Sequence, residues 1–402
     1  MQSRLALLFI LVTVGIDATG IGIIFPVMPQ LMTEVTGSDI AHAALWGGAL
    51  ATSYSAMQFL FGPVVGNLSD RYGRRPVLLI SLAVMVVDYL IMALAPSIWV
   101  LLVGRVVAGI AGATYATANA YLADVTEPEH RAKAFGYMGA AFGVGFILGP
   151  LLGGILAGFG TRAPFYAAAA IAGANLILGL LVVPESLKAE LRRPFSLGRS
   201  NPLASFAAIG HLPGLRRYLA VWFTYTIAFT SYPAVWAFFG TERFGWDGWW
   251  NGMSLALFGI CMVAVQGAAV APAIALLGAK RTASYGMGLE VVTFGFYALV
   301  TSGTLALIFT PIASIAGVAG PALQGLTTNA TPDDQQGELQ GVLASVGAVA
   351  SGLAPMLMTG VFYFFTKPGA PVYFPGAPFV LAAALMAISV LILIRDPGPA
   401  IS

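Results

Sequence analysis

Of 402 residues, 58% are hydrophobic and only 9% charged, with a mean hydropathy of +0.86. A soluble domain carries about 25% charged residues, so this chain cannot cover a water-facing surface and reads as an all-α membrane protein. The net charge of +2 excludes nothing by itself, the single Cys261 excludes an internal disulfide, and His42, His130 and His211 fall far apart in expected loops, so no metal set is visible.

A spanning helix needs about 20 apolar residues. Apolar runs between polar or Pro/Gly breaks predict twelve transmembrane helices, at 5–29, 43–65, 76–95, 98–122, 134–158, 163–183, 217–239, 250–277, 281–302, 304–327, 339–365 and 375–394. The first run, with Arg4 ahead of Leu5–Ile16, has the start of a signal peptide. It continues through Asp17 to Pro26 without a small-residue cleavage site, so it is expected to stay as the first helix. Only Ser302-Gly303 divides the ninth run from the tenth.

With both termini cytoplasmic, fifteen Lys and Arg fall on inner segments, among them Arg71, Arg74, Arg75, Arg131 and Lys133. Three, Arg162, Arg243 and Lys367, fall on outer ones. That asymmetry obeys the positive-inside rule. The stretch 328–338 breaks it, being expected inside yet carrying Asp333, Asp334 and Glu338 without a base. Pro184–Arg217 is the longest polar stretch and contains Pro184, Pro194, Pro202 and Pro213. It predicts a cytoplasmic linker over 185–216 between two six-helix halves, 1–184 and 217–402, with His211–Arg217 at the membrane surface. A 6+6 layout suggests parallel repeats with the substrate site between them. Their residue trace is faint: Gly66–Pro76 has a worn counterpart at Ala271–Arg281 that keeps Gly278, Lys280 and Arg281.

Four ionisable residues lie inside expected spans: Asp17, Asp88, Arg105 and Glu290. Each costs roughly 2.5–3.5 kcal/mol to insert and is tolerated beside a partner or a water-filled path. They therefore point to transport, and the carboxylates to proton coupling. The competing reading is a carboxylate bonded to nearby hydroxyls or backbone that serves assembly alone, and for Arg105 a guanidinium snorkelling to the outer surface. Gln58, Asn119, Gln266, Gln324 and Gln340 are uncharged hydrogen bonders in or near spans; some are expected to line a cavity and others to join helices. Span seven carries Trp222, Phe223, Tyr225, Phe229, Tyr232, Trp236, Phe238 and Phe239. Such rings suit flat organic ligands and equally suit a lipid interface. No G-x-x-x-x-G-K-[ST] loop occurs, so an ion gradient must supply the energy.

Three strings carry a resemblance. Gly66-Asn-Leu-Ser-Asp-Arg-Tyr-Gly-Arg-Arg-Pro76 resembles the signature loop of the major facilitator superfamily. By that likeness Asp70, Arg71 and Arg74, with Asp124 at the end of span four, form a gating latch between halves. Arg105 with Gly109 and Gly112 resembles the fourth-helix motif that takes part in proton transfer. Gly145-Phe-Ile-Leu-Gly149-Pro150 resembles the exporter-branch motif of span five, a gating element.

Further strings, including Asp17–Pro29, Tyr54–Gln58, Asp88-Tyr89, Thr241–Trp246, Pro321–Gly325 and Gln335–Gly341, resemble the bacterial tetracycline/proton antiporters along nearly the whole chain. The likeness implies a twelve-helix inner-membrane exporter of a drug-like or amphipathic molecule such as tetracycline, working by alternating access. Its partners are a small-molecule substrate, protons and membrane lipids, with no nucleic acid and no cofactor, and a monomer is expected. By that likeness Asp17, Gln58, Arg71, Asp88 and Arg105 fall on positions that matter for transport; the substrate set expected from likeness and residue reading together is Asp17, Gln58, Asn119, Trp236, Gln266 and Gln324. Two positions depart: the family's membrane His is Met262 here, which cannot titrate, and its Asp is Glu290, which keeps the carboxylate. The rival expectations are an importer or uniporter on the same fold, and a receptor that kept the fold and lost transport. An enzyme is not expected, since no nucleophile–base constellation appears.

Overall fold

The computed structural model describes residues 2–112, 114–196, 198–202, 215–332 and 335–395. Part of the expected linker, with His211, and the acidic pair Asp333 and Asp334 lie outside these residues. Among the described residues every regular element is helical.

Pro26 opens the series. Its ring cannot continue an α-helix hydrogen-bond ladder, so α1 (Gln2–Ile24) passes through a 3-10 turn at Phe25–Val27 into α2 (Met28–Thr36). The first helical body thereby runs past the expected end at 29. The chain continues through α3 (Ile40–Tyr72), α4 (Arg74–Leu94), α5 (Ile98–Ala111), α6 (Thr114–Val125), α7 (Arg131–Ala157) and α8 (Ala163–Val182). It resumes with α9 (Arg216–Phe244), α10 (Gly248–Ala268), α11 (Val270–Leu277), α12 (Ala279–Leu299), α13 (Gly303–Ser314), α14 (Ala319–Asn329), α15 (Gln336–Thr366) and α16 (Ala377–Ile394). Three more expected spans are interrupted. Gly112 separates α5 from α6, Ala269 separates α10 from α11, and a 3-10 turn at Ile315–Val318 separates α13 from α14. The Ser302-Gly303 division does end a helix: Ser302 caps α13, its hydroxyl accepting the Leu305 N–H at 3.4 Å.

Among the described residues nine stretches are long and apolar enough to cross a bilayer, against twelve expected spans. Helices α3, α9 and α12 have the length, at 33, 29 and 21 residues, but not the apolarity. The reason is compositional. They carry Gln58, Asn67 and Asp70 in α3, Thr224 and Glu242 in α9, and Lys280 and Glu290 in α12.

Two compact units are distinguished. The first comprises Met1–Ser38, Ser53–Pro202 and Asp247–Ala256; the second comprises Asp39–Thr52, Leu203–Trp246 and Leu257–Ser402. In the first, α1 packs on α7 with almost no side chain between the backbones. Gly145 meets Gly15 O and Ala18, Gly149 meets Thr19 O and Gly22, Gly153 meets the Ile23 backbone, and the Pro150 ring rests on Gly22. In lipid, where burial of apolar surface drives nothing, such close approach is what holds helices together. The second unit is cemented by rings. Tyr232 lies 5.1 Å from Phe258 and 5.3 Å from Phe294, Trp236 stands edge-on to Tyr297 at 4.9 Å, and Phe239 meets Phe379 at 5.0 Å.

The worn repeat has a backbone counterpart. Gly73 (φ 107°, ψ 160°) starts α4 and Gly278 (φ 78°, ψ 154°) starts α12, both in a conformation open essentially to glycine alone. Gly73 also has the Glu185 carboxylate where a Cβ would sit, whereas Gly278 has open space. Gly278→Ala is therefore expected to cost about 1–3 kcal/mol from backbone strain alone, and Gly73→Ala more, because it also displaces Glu185. Thermal melting of the two purified variants checks this; equal losses would remove Glu185 from the account.

Candidate functional site

Three places gather the chemically active side chains, each described within its own unit.

The first lies in the first unit, around α4 and α5. Asp88 is 5% exposed, and its Oδ2 accepts a bond from Arg105 Nη2 across the turn between the two helices. Arg105 also donates to Met92 Sδ at 3.0 Å and lies 5.3 Å from the Tyr54 ring centre. Asp88 Oδ1 and Arg105 Nε keep no hydrogen-bond partner. Asp17 is half-buried on α1. Its charge acts on Tyr54 and Tyr89, and so do the charges of Asp88 and Arg105, so these five residues form one electrostatic neighbourhood. Tyr89 also packs on Gly20, one turn from Asp17, where any side chain would collide with its hydroxyl. Beside them the α5–α6 break leaves Gly112 O without its helical donor, and Gln58 Nε2 supplies one at 2.7 Å. Asn119 donates to Tyr115 O of its own helix at 3.0 Å.

The second place lies in the second unit. Glu290 is 4% exposed on α12, and its Oε2 has no hydrogen-bond partner. It lines a small cavity with Phe229, Tyr232, Phe258, Met262 and Thr293, closed by Ala313, Ser314 and Gly317 at the α13–α14 break. The space is about 10 Å3, roughly the size of one water molecule. Met262, at the position where the resembling family has a histidine, thus faces the same cavity as Glu290, with its sulfur packed on Gly317. Trp236 was expected at a ligand surface and is instead 4% exposed inside the ring cluster. Gln266 and Gln324 are exposed.

The third is the α3–α4 loop of the first unit. Arg74 pairs with Asp70 at 2.6 Å and with Asp124 at 3.2 Å, and donates to Ser69 Oγ at 3.2 Å. Arg71 instead lies over the Tyr72 ring at 5.1 Å and is exposed. Sequence reasoning missed Glu185. Its Oε1 accepts the Arg74 N–H at 2.8 Å and its Oε2 the Arg75 N–H at 3.2 Å, closing the start of α4. The available signal was an acid directly after Pro184, at the exit of an apolar run. The residues after it fold back as a strap: Ser186 donates to Asp124 at 3.1 Å, the Arg193 N–H to Asp70 O at 3.1 Å, and Asn67 to Ser196 O at 2.6 Å. All these bonds lie inside one unit.

A profile of the Major Facilitator Superfamily matches residues 10–355. The class C tetracycline resistance protein of Escherichia coli is 41% identical over 362 residues, covering 90% of this chain and 91% of that protein. The class G tetracycline resistance protein of Vibrio anguillarum is 38% identical, covering 89% and 91%. Among solved structures, the human organic anion transporter MFSD10 superimposes with a TM-score of 0.69 over 97% of this chain and 99% of its own, at 23% identity, a likeness of fold alone. The chain is a multi-pass membrane protein and belongs to the Major Facilitator Superfamily.

The Asp88–Arg105 pair sets a test. Removing one partner of a buried pair strands the other, at a cost of about 3–5 kcal/mol. Asp88→Asn and Arg105→Gln are each expected to lower stability by that order, and the double variant to lose less than the sum. Denaturation of the purified protein in detergent measures the coupling; strictly additive losses would show that the two act independently.

Proposed function

We propose that the protein is a proton-coupled exporter of tetracycline, or of an amphipathic, hydroxyl-rich molecule of that kind, in a bacterial inner membrane. The observation that carries this reading is identity of 41% to a tetracycline resistance protein over nine-tenths of both chains. The proposed layout is twelve spans in two six-helix halves, 1–184 and 217–402, joined by a cytoplasmic linker at 185–216, with both termini cytoplasmic. Helices α3 and α12, two of the three long helices that lack the apolarity of a span, carry Gln58 and Glu290, as expected of helices with one side on an aqueous path. The protein acts as a monomer and moves its cargo unchanged.

Proton coupling is assigned to Asp17, Asp88, Arg105 and Glu290. Glu290 suits the proton-carrying step because its free oxygen meets a space that admits water but no organic cargo. Cargo contact is assigned to Asp17, Gln58, Asn119, Gln266 and Gln324, with Trp236 stiffening the wall behind. Asp70, Arg71, Arg74 and Asp124 act as the gate, with Glu185 positioning Arg74. Gly145, Gly149 and Pro150 hold α7 on α1 while the rest moves. Helix breaks at Gly112 and Ile315–Val318 fit this reading, since transporter sites recur beside interrupted helices.

In inverted vesicles with an acidic lumen, tetracycline is expected to accumulate and the lumen to become more alkaline, both abolished by a protonophore. Protonophore-insensitive uptake would instead mark a uniporter, and proton entry together with substrate a symporter. Two substitutions separate the roles. Glu290→Gln is expected to cut proton-driven uptake at least tenfold and leave tetracycline binding intact; wild-type pH dependence in that variant would refute the assignment. Asp17→Asn is expected to weaken binding or exchange tenfold or more, about 1.4 kcal/mol if it acts on affinity. If purified Asp17→Asn binds and transports like wild type, Asp17 is structural.

A further inference from the structure

Three buried oxygens without hydrogen-bond partners meet one small space in the second unit. They are Glu290 Oε2, Thr293 Oγ1 and the Tyr232 hydroxyl, on residues 4%, 1% and 8% exposed. All three residues line the cavity of about 10 Å3 beside the α13–α14 break. Glu290 and Thr293 stand three residues apart on α12 and so share a face, while Tyr232 reaches the same place from α9. Ser314, the fourth polar residue of the lining, already donates to Thr310 O at 2.9 Å. The Tyr297 hydroxyl acts electrostatically on that of Tyr232 without a hydrogen bond between them, and pairs with Thr310 Oγ1 at 3.3 Å. The rest of the lining is apolar: Phe229, Phe258, Met262, Ala313 and Gly317.

Each buried oxygen left without a partner costs about 1–3 kcal/mol, and one molecule relieves all three. A buried water makes about three hydrogen bonds and needs about 10–15 Å3 of such space. The cavity offers three partners and close to that volume, and nothing larger fits.

We infer that Tyr232 and Thr293 hold one water molecule against Glu290 and that Glu290 exchanges its proton with this water. The exchange rests on the proton-carrying role proposed for Glu290; the water site does not. With Glu290 ionised, the Tyr232 and Thr293 hydroxyls donate to the water oxygen and the water donates to Oε2. A proton that reaches the water moves on to Oε2 and leaves the water neutral. The new carboxyl O–H then donates to the water, and the Thr293 hydroxyl turns from donor to acceptor, which its free rotation permits. The carboxyl thus keeps a hydrogen bond in both charge states. Tyr232 and Thr293 are positioning residues that fix the water and carry no charge themselves.

Few other ionisable groups face Glu290. Helices α11, α13, α14 and α16, which pack on α12, have no ionisable side chain within their ranges. From α9, Tyr225 and Tyr232 feel the Glu290 charge. From α10, Cys261 acts on Tyr297. On α12 itself Lys280, Arg281 and Tyr285 lie more than a turn toward its start, and Tyr297 lies about two turns toward its end.

Infrared difference spectra between high and low pH, recorded on the full-length purified protein without cargo, test the inference. The carboxyl C=O band lost in Glu290→Gln belongs to Glu290. In wild type it is expected to appear together with a water O–H band that moves in oxygen-labelled water. Tyr232→Phe and Thr293→Val each remove one hydroxyl at nearly constant volume. Each is expected to abolish the water band and raise the Glu290 C=O frequency, as a carboxyl does on losing a hydrogen bond, while a melting curve monitors folding. Tyr297→Phe removes a hydroxyl outside the cavity and is expected to leave both bands in place. The water site is refuted if no label-sensitive band accompanies Glu290, or if Tyr297→Phe changes the spectrum as Tyr232→Phe does. Loss of the water band when sodium replaces potassium at fixed pH would make the occupant a cation and overturn it too. If all the expected bands appear but uptake is insensitive to a protonophore, the water site stands and the proton-exchange role falls.

Discussion

A carboxylate in an apolar helix is tolerated only with a counter-ion, a hydrogen-bond donor or a route to water, and the two most buried acids among the described residues meet that demand in opposite ways. Asp88 has Arg105. The guanidinium is itself held by Met92 and by the face of Tyr54, so pair and surroundings brace one another. Glu290 has no ion pair among the described residues, and one of its oxygens is without a hydrogen bond. A buried acceptor left unmade costs about 1–3 kcal/mol. A cost of that size is retained where the vacant position is used, which is why Glu290 and not Asp88 is given the proton-carrying step. Asp88 instead holds Arg105 beside Met92 and the Tyr54 ring.

Backbone follows the same rule as charge. In lipid an N–H or C=O without a partner costs several kcal/mol, so a helix breaks only where something else completes it. At Gly112 that something is Gln58, whose amide supplies the donor that the interrupted helix lost. Glutamine is a structural need here as well as a candidate contact for cargo, and the two are compatible because one amide hydrogen and the amide oxygen remain for other partners. At Ile315–Val318 the break is a 3-10 turn, which keeps its own hydrogen bonds while narrowing the helix. The narrowing is visible in Gly317, where the Met262 sulfur occupies the space a side chain would take. Glu290 owes its small cavity to that thin point. By contrast, α1 and α7 are thin along several successive turns, and there the backbones close on each other and leave no room.

Helices, loops and the family were legible in the sequence because each has a local signal: an apolar run, a Gly/Pro break, a contiguous string such as Gly66–Pro76. Partnership was less legible. Asp88 and Arg105 read as two members of one proton path, since nothing in a string says that residues 17 apart will point at each other across a turn. Their role as a pair appears only when α4 and α5 fold antiparallel. The juxtaposition of Met262 and Glu290 was legible only through the resemblance, which had singled out both positions. Trp236 shows the opposite failure. An aromatic-rich helix has rings on every side, and composition cannot tell the ring that faces a ligand from the ring that meets Tyr297 and Phe379. Glu185 was passed over because acids at helix exits are common, and its significance lies in two backbone N–H groups more than 100 residues away in sequence.

The two copies of the turn at Gly73 and Gly278 separate what geometry requires from what chemistry adds. Position for position, Asp70 corresponds to Ala275, Arg74 to Ala279 and Arg75 to Lys280. The second copy has kept the glycine, because helices entering and leaving at that angle need the positive φ whatever else is present. It has lost the carboxylate and the first arginine. An exposed ion pair contributes about 0–1 kcal/mol, so stability alone would not preserve them in either copy. Their survival in the first copy goes with a denser setting. There Arg74 bridges Asp70 and Asp124, Glu185 closes the helix start, and the strap after Glu185 ties Asp124, Asp70 and Asn67 to itself. A charge cluster connected to so many backbone groups cannot be rearranged one bond at a time. That connectivity is what supports the gating role proposed for it over that of a lone surface pair.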